Sequence, residues 1–186
     1  VYGPDGDGDS DANRVAMYEI DGNFSFIEIG SGTEVISDSA QVSASSDVVD
    51  LNGLNIVGFQ ITTSHTDNEQ ACNFGASTED DEVAYNGGIK EIQVTNSGTQ
   101  QNLQSSEYWI EIDLIGSTTN SSSNELNQLL DGGDFGIGEY SFTISVTVND
   151  GGATVPFPCS NGDSDESVDW TVYLIALDYT LTEVKE

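Results

Sequence analysis

Cationic side chains are nearly absent from this chain: Arg14, Lys90 and Lys185 face 33 aspartates and glutamates, a formal net charge of −30 at pH 7. Three scattered cations cannot assemble a basic patch, which excludes nucleic acid and anionic membrane surfaces as partners. Histidine is limited to His65 and cysteine to Cys72 and Cys159, neither of them in a CxxC pair, so a zinc site is excluded. No apolar run approaches the ~20 residues of a spanning helix, and no membrane-spanning segment is expected. GxSxG, Walker and dinucleotide-binding patterns are all missing. Any catalytic triad would have to use His65, which sits between Ser64 and Thr66 in a polar stretch and reads as a surface histidine. Carboxylates are so numerous that no pair of them marks a glycosidase. The sequence predicts a non-enzyme.

What is present is a core. Hydrophobic residues make up 36% of the chain and include seven Phe, seven Tyr and two Trp, which argues against a disordered acidic polymer. A chain of this length buries roughly 70% of its unfolded surface, enough to fold without staples. The surplus of carboxylates repels itself until salt shortens the Debye length from about 10 Å at 0.1 M to about 3 Å at 1 M. This balance points to a salty or cation-rich setting and, by composition, to a halophilic or marine microbe, an archaeon first. The chain opens at Val1-Tyr2-Gly3-Pro4, as a processed secreted protein would. The expected location is therefore extracellular or at the cell surface. There, Cys72 and Cys159 are expected to form one disulfide, worth roughly 4–5 kcal/mol in the chain-entropy account, with two separate buried thiols as the alternative.

Residues 1–14 form an acidic, Gly-rich arm, and 15–186 read as a single β-sandwich domain. Segments 15–20 and 24–29 flank Asp21-Gly22-Asn23 and predict a hairpin; Asn52-Gly53 predicts another between 48–51 and 54–63. Residues 33–36 suit a short strand, 37–47 a Ser- and Ala-rich loop, and 64–88 a long exposed loop. Strands are expected at 89–95 and 107–115, the second alternating Tyr108, Ile110, Ile112 and Leu114 with Trp109, Glu111 and Asp113. Ser122 and Glu125 have capping-box spacing ahead of Leu126, Leu129 and Leu130, and Gly132-Gly133 stops that helix. Residues 139–149 alternate apolar and polar without a break. Pro156 and Pro158 confine 155–159 to a sheet edge. Segment 168–181 is apolar on both faces at Tyr173, Leu174 and Ile175, which suits a central strand or one that pairs outside its own sheet. The expected fold class is all-β, an antiparallel β-sandwich of jelly-roll-like form with at most one short helix.

Asp5, Asp7, Asp9, Asp11 and Asn13 stand at alternate positions, a spacing that lets carboxylates converge on calcium, the only cofactor to which the sequence points. Ser10 replaces the turn glycine and Ala16 the closing bidentate Glu, so a solvated acidic arm is the competing reading. Asp163, Asp165, Glu166 and Asp169 form a second acidic cluster. Asn23 and Asn120 lie in glycosylation sequons, and Trp109 and Trp170 are candidate sugar-stacking platforms. With no chemistry to explain, the expected function is a structural subunit of an extracellular filament, pilus or surface assembly adapted to salt. Its copies would form a homopolymer by strand exchange, and Val15, Met17, Ile20, Phe24, Phe26 and Ile29 are the candidate assembly strand. The alternative is a monomeric carbohydrate-binding or adhesin module, with a glycan as its partner.

Overall fold

The computed structural model describes residues 12–66, 80–149 and 164–185. Its strands are β1 (Val15–Ile36), β2 (Ser39–Ser45), β3 (Ile56–His65), β4 (Glu82–Ile89), β5 (Ile92–Gly98), β6 (Asn102–Tyr108), β7 (Thr118–Ser122), β8 (Glu139–Thr147) and β9 (Glu166–Glu183), with one helix, α1 (Ser123–Leu130). They form a five-stranded sheet of order β6-β3-β9-β1-β7 and a four-stranded sheet of order β2-β8-β4-β5. All pairings are antiparallel. The protein is an all-β, jelly-roll-like sandwich, with a single short α-helix among the described residues.

Periodicity explains the layers. Along β8, Tyr140, Phe142, Ile144 and Val146 are buried at every second position, and they meet Phe59, Ile61, Val172 and Leu174 of the facing sheet. Phe59 packs edge-on against Tyr140 at 5.4 Å and tilted against Phe142 at 6.0 Å, geometries that the ring quadrupole favours. A second apolar cluster lies on the other face of the five-stranded sheet. Tyr18, Ile20, Val57, Ile175 and Leu177 are there covered by Leu126 and Leu130 of α1. β9 lies between the two clusters, with Leu174 facing one and Ile175 the other, and this is why its middle is apolar on both faces. It is the central strand.

α1 begins as its capping chemistry dictates, with the Ser122 hydroxyl accepting from the Glu125 amide at 3.2 Å. At its other end Asn55 takes over. Its Nδ2 donates to the Leu130 carbonyl at 2.7 Å and its Oδ1 accepts from the Gly132 amide at 2.8 Å, tying the helix to the start of β3. The Trp109 indole donates to the carbonyls of Ile56 and Gly132 at the same junction.

Several expectations are corrected. Residues 15–29 form no hairpin, because β1 runs unbroken through Asp21-Gly22-Asn23 and pairs with β9 along its length. Gly22 serves close packing, since a Cβ there would stand 3.0 Å from side-chain carbons of Ile115 and Leu177. Asn52-Gly53 does turn the chain, with Gly53 at φ +77, but 48–51 do not pair with β3. Part of the expected loop 64–88 is β4, whose Val83, Tyr85 and Ile89 are buried, and residues 39–45 are an edge strand. Segment 109–117 leaves the sheet after β6, passing through a 3-10 turn at Ile112–Leu114, and packs Ile110, Leu114 and Ile115 on the second cluster. The Cys72–Cys159 disulfide is likewise corrected. No disulfide occurs among the described residues, and both cysteines lie outside them. Residues 155–159 also lie outside the described residues.

Candidate functional site: the open edge of β1

Among the described residues, β1, which holds the candidate assembly strand, carries four exposed large apolar side chains. Val15 is 60% exposed, Met17 44% and Phe26 50%, and Val35 further along the same strand reaches 70%. Phe24 is half-buried against Tyr108, whereas Ile20 and Ile29 are core residues. Phe26 stands on the sheet's outer face, edge-on to Tyr173 at 6.4 Å.

The backbone of β1 is as distinctive as its side chains. One edge pairs with β9 from Tyr18 to Ile36. The other pairs with β7 only over Val15–Glu19, and Ile20 closes that contact by bonding to Ser117 and Gly116. Beyond it, among the described residues, no strand pairs with the second edge of residues 21–36. At ~3.3 Å per residue that edge runs for roughly 50 Å. It is interrupted by a bulge between Glu28 and Gly30 and carries Asp21, Glu28 and Glu34. Bulges and charges of this kind are what keep a sheet edge from pairing indiscriminately.

The other predicted site residues are dispersed. Asp5, Asp7, Asp9 and Asp11 lie outside the described residues; Asn13 is exposed and accepts from Asn124 Nδ2 at 3.3 Å. Of the second acidic cluster, Asp163 lies outside the described residues. Glu166 is buried between the sheets, while Asp169 accepts from Thr33 on the outer face. One strand thus sends them to opposite sides, and among the described residues no group of three or more His, Cys, Asp or Glu is placed to hold a metal ion. Asn23 lies exposed within β1 and Asn120 exposed within β7.

His65 is no surface residue. It ends β3 with its side chain 4% exposed, because the inward alternation of that strand continues through Thr63. Ser64 faces the other way, so no Ser–His pair forms. Neither tryptophan is an open platform. Trp170 is buried between the sheets, and Trp109 is held by its two carbonyl acceptors and packs against Phe135 at 5.6 Å. Among the described residues, neither His65 nor the tryptophans form part of a recognisable catalytic or sugar-stacking arrangement.

Two of the three cations make contacts within the fold. Arg14 pairs with Glu183 at 2.6 Å, across the first and last strands, and holds that carboxyl below its usual range. Lys90 donates to the carbonyls of Asp134 and Phe135 and lies over the Phe135 ring at 5.4 Å.

No family model matches this chain, and no curated protein matches it. Among solved structures, a chain of Desmodium yellow mottle tymovirus is similar at 10% identity and a TM-score of 0.30, with 100% of this chain and 96% of that one covered. A likeness at that score bears on neither family nor function.

Proposed function

We propose that this protein is a structural subunit of an extracellular or cell-surface assembly, a filament or pilus among them, whose copies join by β-strand addition with β1 as the accepting strand. The observation behind this proposal is the edge at residues 21–36, open among the described residues and flanked by the exposed Phe26 and Val35. Added strands gain affinity from main-chain hydrogen bonds and specificity from alternate side chains. Since β1 is paired with β9 from Tyr18 to Ile36, it accepts a strand of the next copy and does not leave its own sheet. Copies bearing −30 each approach only where ions screen them, so assembly belongs to concentrated salt or divalent cations.

Negative-stain microscopy and sedimentation in concentrated KCl, with and without calcium and chelator, test the proposal directly. Polymers are expected in salt and single particles in dilute buffer. Ser25→Pro and Phe26→Pro sharpen the test, because neighbouring amides on a strand point to opposite edges. The proline that removes a β9-facing amide lowers Tm, while the one that removes an outward amide leaves Tm in place and abolishes polymers. Polymers formed equally well by the thermally intact variant, or solitary molecules under every ionic condition, would overturn it.

A further inference from the structure

We propose that the cleft between α1 and the Asn52-Gly53 turn is a binding site for a single neutral sugar ring. The cleft has a volume of 340 Å³, at the small end of the range for ligand sites, and is walled by Leu54, Asn127, Asp131 and Tyr179. Its rims are Gly53 and Gly133, both at positive φ, and nothing lies within 4 Å of where a side chain on either would begin. A side chain at either position would be strained in φ but would meet no neighbour.

The chemistry of the walls selects the ligand. Tyr179 donates its hydroxyl to Asn127 Oδ1 at 2.8 Å, which fixes the phenol and leaves the Asn127 amide NH₂ as a donor. Burial and the nearby Asp131 charge push the Tyr179 hydroxyl above its ordinary range, so it stays protonated. One oxygen of Asp131 accepts from the Gly133 amide at 2.9 Å, and a carboxylate retains further lone pairs for a ligand. Leu54 adds an exposed apolar side chain. An amide donor, a carboxylate acceptor, an aromatic ring and an aliphatic edge together match vicinal hydroxyls on a ring whose C–H face is apolar. No cationic side chain lines the cleft, and its carboxylate repels phosphates, sulfates and uronic acids. An alkylammonium ion would satisfy Asp131 but leave the Asn127 donor without a partner.

This site is separate from the edge of β1, so its fate does not depend on assembly. Titration of the full chain with glucose, galactose, mannose and N-acetylglucosamine, followed by NMR at the Asn127 side-chain amide and the Gly133 amide, is the test. At least one sugar is expected to bind in the millimolar range. Asp131→Asn, which keeps an acceptor for Gly133, and Asn127→Ala are each expected to weaken it roughly tenfold, about one logarithmic step in Kd, with Tm unchanged. The proposal fails if none of the four sugars moves these resonances. It also fails if binding survives both substitutions, or if butylamine binds and the sugars do not.

Discussion

The carbonyl oxygen of Ile56 occupies the space in which a side chain on Gly132 would begin: a Cβ there would lie 1.6 Å from it. The end of α1 and the start of β3 thus meet backbone to backbone. Gly132→Ala is expected to destabilise the fold by about 3 kcal/mol, since the displaced group is main chain and cannot rotate away. Gly53→Ala, strained in φ but facing open space, should cost only about 1 kcal/mol. Urea denaturation of the two variants checks the ordering.

Asn55 bonds a carbonyl with one end of its amide and an amide with the other, so it cannot be replaced by its acid. Asn55→Asp loses the donor to Leu130 and sets a negative charge against the negative end of the helix. A loss of about 2 kcal/mol is expected at neutral pH by the same measurement.

Tyr140 donates its hydroxyl to the Gly136 carbonyl at 2.9 Å from within the core, and burial raises the phenol far above its ordinary value. The folded state therefore holds this proton more tightly than the unfolded chain does. That contribution is complete below the ordinary tyrosine value of ~10 and is lost as pH climbs beyond it. Thermal melts from neutral to strongly alkaline pH should show Tm falling past that point, and Tyr140→Phe should flatten the fall.

With −30 charges on one chain, Tm is expected to rise by more than about 5 °C between dilute buffer and molar KCl, as screening removes self-repulsion. Differential scanning fluorimetry across a salt series measures it. A flat response would mean that the acids are spaced well enough to ignore one another.

What could be read from the chain follows from how local each signal is. β8 alternates strictly, α1 carries its own cap at Ser122, and the two-sided apolar middle of β9 announces a strand with a layer on either side. The glycines misled. Asp21-Gly22-Asn23 resembles a turn, but Gly22 is there to admit Ile115. The pair Gly87-Gly88 makes β4 look like loop, although a Cβ on Gly87 would lie 2.1 Å from the Ser141 carbonyl. In both cases the reason for the glycine lies on a segment distant in sequence. The outer layer at 110–115 shows period two without being a strand: a 3-10 turn lays Ile110 and Leu114, half-buried, on the second cluster. The candidate assembly residues were visible as apolar positions on β1. The open edge was not, since it depends on where β7 stops. Nor was the cleft, which joins a turn, a helix and the last strand.

The order of the strands in space also constrains how the molecule comes into being. β9, the final strand along the chain, sits in the middle of its sheet, flanked by β1 and β3. Until it arrives, those two strands have no neighbour between them, and both apolar clusters lack their dividing wall. A nascent chain halted before residue 166 holds the outer pieces of the sheet without its centre. Collapse into the native form must wait for residues 166–183 to be made, and the distant pairings make that step slow.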